Sequence, residues 1–238
     1  MSVKNFKKVS IIQSNYIPWK GYFDLIAYSD EFIIYDEVQF TKNDWRNRNK
    51  IKTSKGLEWL SIPVGQSIDR KIKDVTLPTT GWQKKHCHTL KANYSRANYF
   101  KEVFEMILPL YEDDNLANLT VFNRKFIELI CNYLGIKTKI SYSWDYCIET
   151  TDRVGKLVEL CTKAEAAEYV SGPAAKNYLD ESSFQERNIN VHWFDYAGYS
   201  EYPQLWGGFE HGVSILDLLF NCGKDSISYM KCKSFGES

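Results

Sequence analysis

The sequence predicts an α/β fold in which a mostly parallel sheet is flanked by helices. Near the N-terminus, an apolar run at residues 9–12 is followed by a loop, a helical pattern at 22–28 and a second apolar run at 32–35. Near the C-terminus, helical stretches again alternate with short apolar runs. Short apolar runs joined by helices are typical of βαβ units with parallel strands. The sheet is therefore expected to be Rossmann-like, with its ligand beyond the carboxyl ends of its strands.

In the middle of the chain, the residue pattern predicts a hairpin followed by a further strand and a group of helices. Residues 51–64 read as the hairpin, turning at Gly56, and residues 71–77 as a further strand. Helical patterns follow at 82–97, 100–111 and 116–134, and Gly135 is expected to cap the third helix at its C-terminus. A strand at 138–142 closes this part. We expect one α/β domain over residues 1–238, with 81–135 as a mainly helical insertion or lobe.

The last third of the chain repeats the parallel α/β pattern. A helix is expected to begin at Thr151 or Asp152, because both are good N-cap residues. Strands are predicted at 167–170 and 190–194, with a helical turn at 174–178 and a helix at 180–187 between them. The final helix is predicted over 213–221, with Ser214 as its cap and Gly223 as its end.

Composition excludes several classes of function. The 238 residues carry 30 basic and 30 acidic side chains, which argues against non-specific nucleic-acid binding and against a polybasic membrane patch. No apolar run approaches the roughly 18–20 residues that cross a bilayer, and residues 1–14 show no apolar h-region or small-residue cleavage site, so no signal peptide is expected. We therefore expect a cytoplasmic protein without direct membrane insertion.

The cysteines and histidines do not predict a metal site. None of the six cysteines forms a C-x-x-C pair, so free thiols are expected. His86, Cys87 and His88 are the only dense cluster, but two histidines that are two positions apart do not share a helix face. No metal is expected.

Hydrogen-bonding side chains follow the first two predicted strands. Because parallel strands end at the same edge of a sheet, these side chains are candidates for one site. They are Gln13, Asn15 and Tyr16 after the first strand, and Asp36, Glu37 and Gln39 after the second.

The segment 40–50 is rich in cations and amides. Trp45, Arg46, Asn47 and Arg48 follow the second strand, where guanidinium groups could bind phosphate or carboxylate in a bidentate manner. The alternative is a solvated polar loop.

Three further loops allow either a plain turn or a ligand contact. Residues 13–22 include Trp19 at a helix start, where free backbone N–H groups favour anions. Residues 171–178 offer Ser171 as a donor and Lys176 as a phosphate ligand. Residues 202–209 place a Gly pair between aromatic residues, as a lid or as a packed loop.

The candidate proton acceptors are His86, Asp36 and Glu37. Histidine titrates near neutrality, which suits general acid–base catalysis, and the two carboxylates stand at a strand end. A helical histidine is also commonly structural. The chain contains no G-x-S-x-G, Walker, G-x-G-x-x-G or H-E-x-x-H motif, so the sequence leaves the cofactor unknown.

The chain resembles the WbqC-like family over nearly its whole length. The resemblance lies in residues Gln13, Asn15–Tyr16, Pro18–Trp19, Gly21–Ile26, Asp36–Phe40, Trp45–Asn49, Trp82, Lys85–His86, Tyr99–Phe100, Ser171–Pro173, Tyr178–Leu179, Tyr202–Leu205, Ser214–Asn221 and Gly223. The family is associated with gene clusters for O-antigen and other surface polysaccharides, so the resemblance implies a role in that biosynthesis.

The N-terminal block is also similar in layout to pantothenate synthetase and related nucleotidylyltransferase-like enzymes. Residues 19–22 take the place of the H-x-G-H motif, and Gln39–Phe40 the place of a Gln-Phe pair. Trp19 and Tyr22 stand where that family has histidines, so the resemblance implies the fold and a nucleotide-sized cleft rather than adenylyl transfer.

Three functions follow as hypotheses. The first is acyl or aminoacyl transfer to a nucleotide-activated amino sugar, with His86 or Asp36 as base and Arg46 and Arg48 on the diphosphate. Asn15, Gln39 and Asn47 would orient the sugar, and Tyr16, Trp19 and Trp45 would stack on it. The second is a non-catalytic module that binds a glycan intermediate, and the third is an ATP-dependent amide ligase. The expected partner is a small molecule, a nucleotide sugar, and not nucleic acid; the sequence leaves the oligomeric state open.

Overall fold

The computed structural model describes residues 6–234. The strands are β1 (Lys8–Ile12), β2 (Glu31–Ile34), β3 (Arg48–Thr53), β4 (Gly56–Ser61), β5 (Lys139–Tyr142), β6 (Glu168–Ser171) and β7 (Asn190–Trp193). The α-helices are α1 (Lys20–Tyr28), α2 (Trp82–Tyr94), α3 (Phe100–Glu112), α4 (Leu119–Leu134), α5 (Arg153–Lys163), α6 (Ser182–Gln185) and α7 (Ile215–Cys222).

Five of the strands form one parallel sheet in the order β5-β2-β1-β6-β7. Strand β1 pairs in parallel with β2, with Val9 opposite Glu31, and with β6, with Lys8 opposite Glu168. The predicted βαβ unit and the Rossmann-like α/β class are confirmed. The strand order reverses between β1 and β6, because the chain first moves outward through β2 and β5 and then returns to the other side of β1.

The helices cover both faces of this sheet. All four residues of β2 are buried, as expected for a central parallel strand. Phe32 and Ile34 point into the larger core cluster, which also takes residues of α1, α3, α4 and α7. Ile33 faces the smaller cluster with residues of α5 and α6. Alternate strand residues therefore anchor opposite helical layers, and the strand ends stay at an open edge.

Strands β3 and β4 form the predicted hairpin, which lies outside the main sheet. The polar loop predicted over 40–50 ends earlier than expected, because β3 begins at Arg48.

The predicted strand at 71–77 is wrong. The chain instead forms a 3-10 turn, Ile72–Asp74, with an isolated bridge on either side of it. Ile72 and Val75 are both buried, and their spacing of three fits a turn that packs inward rather than an alternating strand.

Three helix ends have the capping residues that the sequence predicts. Gly135 ends α4 with a positive φ of 75°, whereas the N-terminal cap of this helix, the Asn118 side chain accepting from Val121 N, was not predicted. Asp152 caps α5 and Ser214 caps α7 through their side chains. Three predicted helices are shorter by three residues or more, since α2 ends at Tyr94, α4 begins at Leu119 and α6 spans four residues. Within the described part of the chain, no helix has the length and apolarity to cross a membrane.

Candidate functional site

The crevice between the ends of β1 and β6 is filled by an aromatic side chain. Ligands of open parallel sheets bind where the strand order reverses. Here Tyr196 lies at that point, with its ring centroid 5.3 Å from that of Trp19. A Cβ atom added at Gly172, which follows β6, would meet the Tyr196 ring at 3.4 Å. Open space is therefore found beside the loop after β1 rather than directly between the two strands.

A cavity of about 270 Å³ opens beside that loop. We name it the Trp19–Trp45 cleft; its lining residues are Asn15, Pro18, Trp19, Trp45, Asn49 and Gly212. Two indole rings supply flat faces, and two amides supply donors and acceptors. A few polar groups among aromatic walls are typical of small-molecule sites. A larger cavity of about 770 Å³ lies between α2 and α3, away from the strand ends.

Asn49 holds the cleft wall in a strained conformation. Ile17 has a φ of 38°, which is rare for a β-branched residue and costs about 1–3 kcal/mol. The Asn49 amide donates to the carbonyls of Tyr16, at 3.2 Å, and Ile17, at 2.9 Å. The Tyr16 N–H in turn donates to the Trp45 carbonyl at 2.9 Å. These bonds fix the two tryptophan-bearing loops relative to each other.

Arg46 connects the same two loops through its side chain. Its Nη1 donates to Asn15 Oδ1, and its Nη2 lies 3.7 Å from Asp44 Oδ2. The Arg46 carbonyl accepts from Asn123 Nδ2 at 2.9 Å. The Arg46 side chain is 14% exposed, so the guanidinium is held at the rim and still reaches solvent. This places one cation beside Asn15, which lines the cleft.

Asp36 is buried below the cleft and fully engaged. Ser14 donates to it twice, from N at 2.8 Å and from Oγ at 2.6 Å, and Thr120 Oγ1 donates at 2.7 Å. Burial raises the pKa of Asp36 above its ordinary value, and the Ser14 and Thr120 hydrogen bonds oppose that rise. In this arrangement the carboxyl group ties the loop after β1 to α4.

His86 takes part in a buried hydrogen-bond relay. Its Nε2 lies 3.2 Å from the Ser61 carbonyl, which can only accept, so Nε2 carries the proton. Its Nδ1 then accepts from the Tyr16 hydroxyl at 2.8 Å, and Tyr16 accepts from Tyr111 at 2.6 Å. Burial lowers the pKa of His86 to about 4, so the ring is neutral at pH 7. Both of its nitrogens are occupied by protein partners.

The family model for the WbqC-like protein family matches residues 13–229. The chain belongs to the WbqC-like protein family. It is 52% identical over 228 residues to Rv1507c of Mycobacterium tuberculosis, described as an uncharacterized protein, with 94% of this chain and 98% of that protein covered. No solved structure matches the chain.

In this WbqC-like chain, three predicted residues of the strand ends lie outside the cleft lining. The Gln13 carbonyl accepts from the Tyr22 hydroxyl at 3.0 Å. Glu37 bonds Lys73 at 3.1 Å and Ser143 at 3.0 Å. The exposed Gln39 side chain donates to the Ile68 carbonyl. The polar residues at these strand ends thus bond several different loops of this chain.

The remaining predicted residues divide between the hairpin and the far side of the sheet. Asn47 donates to the Ile62 carbonyl at 2.8 Å, and Arg48 donates to the Asn43 carbonyl. Ser171 is buried at the end of β6, and the Lys176 ammonium stands 5.4 Å from the Trp193 ring. Of the predicted binding residues, the WbqC-like fold brings Asn15, Trp19, Trp45 and Arg46 together and leaves Ser171 and Lys176 apart from them.

Sequence reasoning missed a buried polar network around Asp217. Asp217 accepts from the hydroxyls of Tyr94 and Tyr202, both at 2.7 Å, and from Gln204 Nε2 at 2.8 Å. Gln204 Oε1 accepts from Lys52 Nζ at 2.8 Å. The glutamine therefore bridges a buried ammonium and a buried carboxylate. The signal in the sequence was a single acid within the otherwise apolar run ILDLLF of α7.

His211 was also missed as a candidate. It is exposed and directly precedes Gly212, which lines the cleft, and its ring contacts Phe209 at 4.6 Å between centroids. Its position in a glycine-rich loop gave no local signal. Among residues 6–234, no group of three or more His, Cys, Asp or Glu side chains is arranged to hold a metal ion.

Proposed function

We propose that this protein binds a nucleotide-activated amino sugar in the Trp19–Trp45 cleft and transfers an acyl or aminoacyl group to the sugar amine, as a step in surface polysaccharide biosynthesis. The observation that supports this best is the cleft itself. It sits at the carboxyl end of β1, with two indole faces, the Asn15 amide and the nearby Arg46 guanidinium.

The chemistry of these groups matches the parts of such a ligand. Indole faces stack on the apolar face of a sugar ring or on a base. A guanidinium binds diphosphate oxygens through charge-assisted hydrogen bonds. Asn15 offers an amide group for sugar hydroxyls, whereas Asn49, Gln39 and Asn47 bond backbone carbonyls and would act on the ligand only indirectly.

The reaction requires a proton acceptor. The amine nitrogen attacks the acyl carbon of a thioester or other activated donor, the new C–N bond forms, the bond to the carrier breaks, and one amine proton passes to a base. His86 and Asp36 are candidates, but each must exchange a hydrogen bond to act. The exposed His211 needs no such exchange and is therefore included beside them.

A non-catalytic binding module is the second candidate. It is favoured by one observation: both His86 and Asp36 have all their hydrogen-bonding atoms engaged by other protein groups. In that case the protein would hold the glycan intermediate for another enzyme, and the cleft residues would keep the same binding roles.

A thermal-shift titration with UDP-glucosamine tests the binding step. At about 100 times its dissociation constant, a ligand adds about 2.7 kcal/mol of stability, which corresponds to roughly 5–10 °C for a chain of this size. Trp45→Ala and Arg46→Ala should abolish the shift, whereas Lys42→Ala, on the same loop, should keep it. No shift with the wild-type protein, or an unchanged shift in both cleft variants, contradicts the proposal.

Turnover separates the two candidates. With an acyl donor present, a transferase should lose N-acylated product in one of His211→Ala, His86→Ala or Asp36→Asn while the thermal shift persists. Binding without product for any donor supports the non-catalytic module. Release of AMP only when ATP, the sugar and a free acid are all present would favour an amide ligase instead.

A further inference from the structure

The outer face of the β3–β4 hairpin carries a row of cations. In the hairpin register, Lys50 pairs with Trp59 and Lys52 pairs with Leu57. Because side chains alternate along a strand, Arg48, Lys50 and Lys52 lie on the same face of β3, about 7 Å apart. We name the surface formed by these three cations and by their cross-strand neighbours Leu57 and Trp59 the cationic face.

Arg48 lies in the electrostatic field of Asp44 and Lys52 in that of Asp217, but neither cation forms an ion pair with its carboxylate. Among the ion pairs between described residues, none includes Arg48, Lys50 or Lys52. Lys52 donates only to neutral acceptors, Gln204 Oε1 and the Gly208 carbonyl. The cross-strand neighbours of the three cations, Ser61, Trp59 and Leu57, are uncharged, so this face of the hairpin carries no acidic side chain of its own.

Two exposed indole rings stand beside these cations. Trp45 is 42% exposed and Trp59 is 38% exposed, and their ring centroids are 5.3 Å apart. The Arg48 guanidinium lies 4.0 Å from the centre of the Trp59 ring and the Lys50 ammonium 5.1 Å from it. Large aromatic side chains left in water side by side are typical of surfaces that bind a partner ring.

The cationic face is continuous with the Trp19–Trp45 cleft. Trp45 belongs to both, since it lines the cleft and contacts Trp59. A ligand that occupies the cleft can therefore extend over Trp45 onto the hairpin. The extension meets flat aromatic surface and the positive charges of Arg48 and Lys50, which together match a base and a diphosphate.

We propose that the cationic face binds a nucleoside diphosphate, with the base on Trp45 and Trp59 and the diphosphate at Arg48 and Lys50. The assignment of the attached sugar to the cleft rests on the proposed function, whereas the nucleoside diphosphate site does not. Lys52 is not assigned a contact with the ligand, because its ammonium is covered by the segment that contains Gly208 and faces Asp217 through Gln204.

Isothermal titration with UDP and with uridine tests this assignment. UDP should bind more tightly than uridine, and raising NaCl from 50 to 500 mM should weaken UDP binding, because salt screens the charges. Lys50→Glu and Trp59→Leu should each weaken UDP binding at least about tenfold, the effect of losing one charge-assisted or stacking contact. Lys55→Glu, the same charge change at the turn of the hairpin, should alter it less than about twofold.

The outcomes separate this inference from the proposed function. If wild-type protein does not bind UDP at low salt, or if Lys50→Glu and Trp59→Leu bind it as well as wild type while melting at the wild-type temperature, the inference is overturned. If UDP binding depends on Lys50 and Trp59 but UDP-glucosamine binds no more tightly than UDP, the inference about the cationic face stands and the proposed function fails. If UDP-glucosamine binding depends on Trp19 and Arg46 but not on Lys50 or Trp59, the proposed function stands and this inference fails.

Discussion

Acid should destabilise this protein through His86. In the folded chain the ring is 3% exposed, its Nδ1 accepts from Tyr16 and its Nε2 donates to the Ser61 carbonyl. Burial lowers the pKa of the ring from 6.5 to about 4. Because the folded pKa lies below the unfolded one, the stabilisation is complete above pH 6.5 and is lost as the pH falls towards 4.

The size of the effect follows from proton linkage. For one group with an unfolded pKa of 6.5 and a folded pKa of about 4, the free energy of unfolding falls by about 2 kcal/mol between pH 8 and pH 5. It falls by about 3 kcal/mol once the pH is below both values. With a urea m-value of about 3 kcal/mol/M, the loss at pH 5 lowers the unfolding midpoint by about 0.7 M.

Urea unfolding at a series of pH values, for wild type and for His86→Gln, isolates this contribution. Glutamine can donate to the Ser61 carbonyl and accept from Tyr16, but it does not titrate. Subtracting the two curves removes the carboxyl groups, including Asp36, whose raised pKa acts in the opposite direction. His88→Gln, an exposed position on the same helix, should keep the wild-type pH dependence. The reasoning is refuted if His86→Gln loses stability with falling pH as steeply as wild type.

Two further predictions concern the hydrogen-bond relay and the packing at Gly223. Tyr16→Phe should lower the free energy of unfolding by about 2–4 kcal/mol, because it leaves a buried imidazole nitrogen and the Tyr111 hydroxyl without partners. Tyr111→Phe removes one hydrogen bond and should lower it by only about 1–1.5 kcal/mol. Denaturant unfolding of both variants measures the two losses, and equal losses would contradict the relay. Gly223→Ala should lower the free energy of unfolding by more than about 3 kcal/mol, since the φ of Gly223 is 56° and the new Cβ would lie 2.4 Å from the Tyr99 ring. Gly208→Ala is the control, because a Cβ atom at that position meets nothing within 4 Å. Equal melting temperatures for the two variants would refute this prediction.

The positions of the individual elements could be predicted from sequence because their signals are local. Apolar runs of four residues predicted β1 and β2, and the capping residues Gly135, Asp152 and Ser214 lie at helix ends whichever tertiary structure follows. The strand prediction at residues 71–77 was wrong because it also relied on a local signal alone. An apolar spacing that fits both a strand and a tight turn is decided by packing, here the burial of Ile72 and Val75.

The roles of the candidate site residues depended on partners that are distant in sequence. Asp36 meets Thr120 across 84 positions and His86 meets Tyr16 across 70, so no local pattern could show that these two groups are engaged. A cleft likewise forms only when separate loops converge, as Trp19, Trp45 and Gly212 do.

The sequence by itself therefore determined the α/β class, the βαβ unit and the set of polar and aromatic residues at the strand ends, because apolar periodicity and capping act over a few residues. The tertiary structure alone decided the strand order, the filling of the crevice by Tyr196 and the joining of the cleft to the cationic face at Trp45. These features arise from long-range packing, in which each side chain's surroundings are set by segments far away in the chain.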